Sequence, residues 1–262
     1  MHTLHSPTKS LRTDLNEFKR ASVLSLSYSL GTYRQIQESI IAAAKRGESR
    51  MACLANVNMT VEASSDPTFS NIVNEADWVA TDGVPLTWAL RLLHGIEQDR
   101  IAGFDLLSDL TRRAAEENLP IFFYGSTPDM LNKVTAKCYE LYPTIKIVGT
   151  LSPPFRPLTP SEEEEIVTHI NQTGAQLVFV ALGCPKQERW MAQMRGKIQA
   201  VMVGVGGALP ILAGLQGRSP KWVQRAGLEW AHRLAMEPRR LFKRYAVTNS
   251  LFILRLTRQL LS

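Results

Sequence analysis

Short apolar runs alternate with amphipathic segments along most of this chain. The runs are too short for typical helices and indicate buried strands: Met51–Ala55, Trp78–Ala80, Pro120–Tyr124, Ile145–Val148, Leu177–Leu182 and Ala200–Val205. Apolar residues at helical spacing predict helices around them: Thr32–Arg46, Leu106–Asn118, Pro128–Tyr142 and Ser161–Thr173. Alternation of strands and helices predicts an α/β fold, with a largely parallel sheet covered by helices on both faces.

The two ends of the chain depart from this pattern. Residues 1–20 are polar and aperiodic, which predicts a disordered segment before an α/β core at 21–216. In residues 217–262, aromatic and aliphatic residues are interleaved with Arg and Lys, as in amphipathic helices appended to a core. This appendage has ten Lys or Arg against two Glu, a net charge of +8; the whole chain carries +6, so the rest carries −2. A basic appendage indicates a polyanionic or membrane-surface partner.

Composition narrows the class of protein. With 45% hydrophobic and 21% charged residues, the chain is typical of globular proteins. Cys53, Cys138 and Cys184 are far apart and form no CxxC pair, which favours a reducing compartment and argues against structural zinc. We find no signal peptide and no apolar run near the ~20 residues of a membrane span, and therefore expect a cytoplasmic protein.

One segment carries the strongest chemical signal, QLVFVALGCPKQERW at 176–190. A buried strand ends at Gly183, and Pro185 can open a helix whose first residues are Lys186, Gln187 and Glu188. Ligands of α/β proteins bind where parallel strands end, and free N–H groups at a helix start suit a diphosphate. Cys184 within this loop could be a nucleophile, but a small buried filler is the favoured interpretation.

Three further clusters follow predicted strands: Asn56-Val57-Asn58, Thr81-Asp82-Gly83 and Gly204-Val205-Gly206-Gly207. Each has an ordinary explanation on its own, since an Asn caps helices, Asp-Gly forms turns and glycines make tight connections. Four clusters at one sheet edge indicate a binding site. A dinucleotide fingerprint is incomplete because Leu209 takes its last position, and GxxxxGK[ST], HExxH and GxSxG are absent.

Seven segments together resemble the WecG/TagA/CpsF family of bacterial glycosyltransferases, over about Val23 to Leu256: ANVNMTVEA (55–63), NEADWVATDGVPLTWALRLL (74–93), RIAGFDLL (100–107), FFYGSTPDML (122–131), GCPKQERWM (183–191), GVGGALPILAG (204–214) and GLEWAHRLAMEPRRLFKRY (227–245). The resemblance implies a Rossmann-like core with a membrane-meeting C-terminal appendage. It also implies transfer of a sugar from a UDP-sugar to a polyprenyl-diphosphate-linked sugar, with inversion. SPPFRPLT (152–159) is similar to members placed in exopolysaccharide assembly.

The resemblance also implies site roles. Asp82 would be the general base, Asn56 would position a substrate, and Gln187 would hold the UDP side as the third catalytic residue. The expected substrate-binding residues are Lys186, Glu188, Gly206, Gly207, Arg233, Arg239 and Arg240, the three arginines closing over the lipid diphosphate. Where many relatives carry threonine, two residues before Asn56, this chain has Leu54, so a hydroxyl role is not expected to transfer.

The remaining expectations concern partners. No DxD motif is present, so we expect neither a metal nor another cofactor. The basic appendage alone would permit nucleic acid, but no nucleic-acid motif accompanies it, and Trp and Tyr among arginines suit a membrane interface equally well. The family resemblance favours the membrane surface, and we expect the protein at the inner face of the cytoplasmic membrane. A noncatalytic nucleotide-sugar or lipid-carrier binding component of an assembly complex is the alternative. The donor sugar (hexosyl or N-acetylhexosaminyl), the acceptor sugar and any homo-oligomer are left open.

Overall fold

The computed structural model describes residues 18–261, except for the side chains of Lys221, Arg225, Arg233, Arg240 and Arg244. Most of the predicted disordered segment 1–20 therefore lies outside the described residues. An antiparallel hairpin of β1 (Arg20–Val23) and β2 (Leu26–Ser29) precedes the main sheet, and the sequence pattern did not predict it.

Six strands form one sheet in the order β4-β3-β8-β7-β5-β6, and every neighbouring pair is parallel. They are β3 (Arg50–Ala55), β4 (Trp78–Thr81), β5 (Ile121–Gly125), β6 (Ile147–Leu151), β7 (Leu177–Ala181) and β8 (Val201–Gly204). Each overlaps one predicted run. The predicted α/β architecture with a parallel sheet is confirmed.

Helices cover both faces of the sheet. Alternate strand residues enter two separate hydrophobic clusters, because successive side chains point to opposite faces. One face carries the hairpin and α2 (Val57–Ala63), α3 (Pro67–Asn74), α4 (Val84–His94), α7 (Pro160–Gln172) and α8 (Lys186–Met194). The other carries α1 (Tyr33–Lys45), α5 (Gly103–Glu116), α6 (Pro128–Leu141) and α9 (Leu209–Leu212).

Side chains just outside the helices fix several helix starts. Thr32 and Gln35 form a capping box at α1, and Thr159 and Glu162 form another at α7, where Pro160 occupies the first turn. The predicted helix over Thr32–Arg46 therefore differs from α1 by its two capping residues. These local signals explain why the helix positions follow from the sequence.

The basic C-terminal region forms α10 (Lys221–Arg225), α11 (Glu229–Met236) and α12 (Pro238–Leu261). α12 packs against α2 and α4 and buries Phe252 in the first hydrophobic cluster. Arg255 Nη1 donates to the carbonyl of Val61 at 3.1 Å, and Gln259 Oε1 accepts from the backbone N–H of Leu24 at 2.8 Å. None of the helices described within residues 18–261 is long and apolar enough to cross a bilayer.

Candidate active site

The sheet order brings the four predicted clusters to the carboxyl ends of four adjacent strands. Asp82 follows β4, Asn56 follows β3, and the Gly204 cluster ends β8. Gln187 is the second residue of α8, which follows β7 after a short loop. Since these strands are parallel, all four clusters lie at one edge of the sheet, as the sequence predicts.

Asp82 is fixed between β3 and α5. Its backbone N–H donates to the carbonyl of Ala55 at 2.9 Å, and its Oδ1 accepts from the backbone N–H of Gly103 at 3.2 Å. Gly103 is the first residue of α5, and Ala102 before it offers no side-chain cap, so Asp82 caps this helix from another strand. The half-buried carboxylate thus lies in the favourable field of a helix N-terminus.

Asn56 is exposed at the end of β3 and caps α2, with its Oδ1 accepting from the N–H of Met59 at 3.2 Å. Capping therefore occupies one end of its amide. Leu54, two residues earlier, is buried in the second cluster, on the face of the sheet opposite α2. A Cβ on Gly103 would lie 3.4 Å from Leu54 Cδ1, so this leucine packs under the start of α5.

Gln187 lies beneath the edge, with 4% of its surface exposed. Its Oε1 accepts from the N–H of Gly183 at 3.2 Å, and its Nε2 donates to Glu188 Oε1 at 2.7 Å. A methyl group on Gly204 would come within 2.9 Å of that Nε2, and one on Gly206 within 3.3 Å of Oε1. The amide therefore braces the loop after β7 against the end of β8, where glycines make room for it.

Glu188 is fully buried, and burial raises the pKa of its carboxyl to about 7. The Cys184 thiol also hydrogen bonds to this carboxyl, while Oε2 has no hydrogen-bond partner among the described residues. Of the three polar residues that open α8, Lys186 alone is exposed. Lys186 can therefore reach a ligand at the edge, whereas Gln187 and Glu188 shape the loop from below.

The end of β8 turns through a 3-10 segment, Gly206–Ala208. Gly206 has φ +47°, a left-handed conformation that L side chains rarely adopt, and Gly207 is exposed. Both predicted glycines thus lie at the edge, where Gly206 leaves space for the Gln187 amide and Gly207 presents its backbone to the surface.

Comparison with known families decides the class of this protein. The model of the glycosyl transferase WecG/TagA/CpsF family matches residues 21–262, almost the whole chain. The chain belongs to the WecG/TagA/CpsF family of glycosyltransferases. The resemblance inferred from the seven segments is confirmed, and with it glycosyl transfer as the general activity.

In this glycosyltransferase the C-terminal region reaches the edge that holds the candidate site through residues that the sequence reasoning missed. Arg100 forms ion pairs with Asp105 of α5, at 3.3 Å, and with Glu229 of α11. A methyl group on Gly227 would lie 2.9 Å from Cβ of Val84, two residues after Asp82. The RIAGFDLL segment, which lies just before and within α5, was the available signal for Arg100 and Gly103.

The three arginines assigned to the lipid diphosphate lie on the last two helices. Arg239 is exposed near the start of α12, while the side chains of Arg233 on α11 and Arg240 on α12 lie outside the described part of the structure. Within residues 18–261, no three His, Cys, Asp or Glu side chains gather where they could hold a metal ion.

Two cavities lie away from this edge. They measure about 350 and 270 Å³, lie beside α7 near β6 and share Glu165 and His169 in their walls. None of the predicted site residues lines either of them.

Proposed function

We propose that this glycosyltransferase moves a hexosyl or N-acetylhexosaminyl group from a UDP-sugar to a polyprenyl-diphosphate-linked sugar, with inversion, in cell-surface or exopolysaccharide assembly. The observation that carries the proposal is the arrangement of the edge. Asp82 stands at β4, and the loops that suit a diphosphate stand at β7 and β8, with β3 between. A base and a leaving-group site on separate strands leave room for a sugar between them.

The chemistry requires one base. The Asp82 carboxylate takes the proton of the acceptor hydroxyl as its oxygen attacks the anomeric carbon of the donor sugar. The bond from that carbon to the UDP oxygen breaks, and UDP leaves with the electron pair. A single displacement from the face opposite the leaving group inverts the anomeric centre, and a positioned base contributes roughly 10²- to 10⁴-fold to such a rate.

Donor binding falls to the other side of the edge. The exposed Lys186 ammonium, at the positive end of the α8 dipole, would oppose the charge that develops on the UDP diphosphate. Gly206 and Gly207 would admit the nucleotide to the backbone. Gln187 and Glu188 act as positioning residues for these loops, and Asn56 would orient a substrate between base and donor.

The C-terminal residues 217–262 would hold the enzyme at the inner face of the cytoplasmic membrane. Their net charge of +8 suits anionic headgroups, and the exposed Arg239 is available to a lipid diphosphate; Arg233 and Arg240 share this proposed role. α12 also packs on the hydrophobic core. We therefore propose that residues 217–262 have a separate function, membrane attachment, but are packed as part of the α/β domain. The proposed reaction uses no metal or other cofactor, and the proposed partners include no nucleic acid.

The test is transfer by the full chain from a panel of UDP-sugars to a synthetic polyprenyl-diphosphate sugar, with the anomeric configuration of the product read by NMR. Asp82→Asn should reduce transfer roughly 10²- to 10⁴-fold while leaving UDP affinity nearly intact. Asp129→Asn is the matched control, since Asp129 is an exposed residue of α6. Unchanged turnover in Asp82→Asn would exclude the base assignment. UDP-sugar binding without transfer by the native chain would favour the noncatalytic alternative.

A further inference from the structure

The outer face of α4 is unusually apolar for a helix on the surface of a protein. Leu86, Ala89 and Leu90 face the core and are buried. On the outer side, Trp88 is 56% and Leu92 is 64% exposed. Outward positions of a surface helix are normally polar, so neighbouring large apolar side chains there indicate an interaction surface.

Val84, Trp88 and Leu92 are spaced four residues apart and form one stripe along α4. Gly227 covers Val84, at the end of the stripe nearest Asp82. Leu228, the next residue, is exposed, and so is Trp230 on α11. The α4 stripe is therefore continuous with the exposed apolar residues of the C-terminal helices.

The charge around this stripe indicates which kind of partner could cover it. Arg91 lies between Trp88 and Leu92, and 71% of its side chain is exposed. The adjoining residues 217–262 carry a net +8. A Trp and a Leu beside an exposed Arg, next to a basic segment, match the headgroup boundary of an anionic bilayer. A second copy of this chain would bring like charges together.

We propose that the outer stripe of α4, Trp88 and Leu92 with Arg91, enters the headgroup region of an anionic bilayer together with the C-terminal helices. The proposal rests on the membrane partner of the proposed function and extends it to the α/β core. Because α4 begins directly after Asp82-Gly83, it also sets the position of the site. Leu92 lies about 12 Å along the helix axis from Val84. The base would stand close outside the headgroups, where a lipid-linked sugar projects.

Trp88 can report its own insertion. Of the five tryptophans, Trp78 and Trp190 are buried, so Trp222→Phe/Trp230→Phe leaves Trp88 as the exposed emitter. Phosphatidylglycerol vesicles with brominated acyl chains should quench this variant and shift its emission to the blue. A further Trp88→Phe change should abolish the quenching while preserving the apolar surface. Vesicles of neutral phosphatidylcholine should quench less.

Vesicle affinity supplies a second readout. Trp88→Ser/Leu92→Ser should weaken binding to phosphatidylglycerol vesicles roughly 10- to 100-fold, the effect of withdrawing one or two apolar side chains from a nonpolar environment. Tyr139→Ser/Leu141→Ser is the matched control, since both residues are exposed on α6, across the sheet. It should bind vesicles as the native chain does.

Three results would overturn the proposal. The first is vesicle-bound protein whose Trp88 is not quenched, and the second is protein that does not bind these vesicles. The third is lipid-free self-association of the native chain that Trp88→Ser/Leu92→Ser removes, since a second copy would then be the occupant. These measurements use no sugar nucleotide, so their failure is distinguishable from failure of the transfer assay. Should the double Ser variant not fold, the Trp88→Phe comparison still decides.

Discussion

Asp82 Oδ1 accepts a hydrogen bond of 3.2 Å from the backbone N–H of Gly103, the residue at which α5 begins. One carboxylate therefore serves both the proposed chemistry and the local structure, through a contact between residues 21 positions apart. A loss of activity on its substitution could come from either part, and two variants separate them.

Asp82→Asn keeps an oxygen for the Gly103 N–H, whereas Asp82→Ala removes it. We expect both variants to lose transfer by roughly 10²- to 10⁴-fold, because neither has a base. Asp82→Ala should in addition lose about 0.5–2 kcal/mol of unfolding free energy, the usual effect of a lost helix cap. Transfer rates and urea unfolding of the two variants check this. Equal stability of the two would show that the Gly103 contact contributes little to the fold.

Gly204→Ala should disturb the donor side. The added methyl group would lie 2.9 Å from Gln187 Nε2 and from Met191 Cε, so one of them must move. We expect a loss of about 1–3 kcal/mol of stability, as for overpacked cores, together with weaker UDP binding. Calorimetric unfolding measures the loss of stability, and calorimetric titration with UDP measures the weaker binding. Gly217→Ala is the control, since a methyl group there meets nothing within 4 Å; similar losses in both variants would refute the explanation.

The buried Glu188 should make stability depend on pH. Burial raises its pKa from 4.5 to about 7, so between those values the folded chain holds more protons than the unfolded chain. The free energy of unfolding then falls as pH rises from about 4.5 to 7, and this contribution levels off above. The fall is on the order of 3 kcal/mol at 1.4 kcal/mol per pKa unit.

Glu188→Gln should remove this slope, so its stability relative to the native chain rises with pH. Urea midpoints at pH 5, 6, 7 and 8 measure the difference. The exposed Glu164→Gln serves as control and should follow the native curve. Parallel curves for Glu188→Gln and the native chain would mean that this carboxyl does not titrate in that window.

Two phenylalanines on α12 test whether the C-terminal helix belongs to the core. Phe252 is buried against the first cluster, whereas Phe242 is 66% exposed on the same helix. Phe252→Ala should lower the free energy of unfolding by about 3–5 kcal/mol, and Phe242→Ala should leave it within about 0.5 kcal/mol. Thermal and urea unfolding check both. Similar small losses for the two would indicate a loosely attached helix.

The packing of α12 also means that truncation near Gly217 would uncover the core and cannot isolate membrane binding. Charge substitution can. Arg239→Gln/Lys243→Gln removes two exposed cations from α12 and should weaken binding to anionic vesicles by roughly 2 kcal/mol, about thirtyfold, less at high salt. Lys133→Gln/Lys146→Gln, exposed on the core, is the control. Equal weakening by both pairs would argue for net charge alone.

The sequence predicts the sheet, its helices and the edge on which four polar clusters meet. It does so because the spacing of apolar residues and the helix caps are local signals. It does not predict the hairpin, whose four-residue strands contain serines. The predicted strand Ile145–Val148 starts before the observed β6 (Ile147–Leu151), because Ile145 is a buried apolar residue just ahead of the strand.

At the candidate site, the prediction from sequence and the structure differ most for Gln187. Sequence spacing puts it at the start of a helix facing a ligand, but its amide is buried where Gly204 and Gly206 leave space. Gly204 ends the neighbouring strand β8 and Gly206 follows it, so both lie about 20 positions away along the chain. Arg100 and Glu229 meet across an even longer separation. Such contacts depend on tertiary packing, which periodicity along the chain does not encode.

The hydrogen bond from Leu24 to Gln259 and the burial of Phe252 set an order of events during synthesis. The surface of α2 and α4 that α12 covers emerges from the ribosome long before α12 does, because chains are made from the N-terminus. Until α12 has emerged, the nascent protein must expose that apolar surface. The docking of α12 is therefore a late folding step, and a ribosome stalled before residue 252 would hold a chain prone to bind chaperones or lipid.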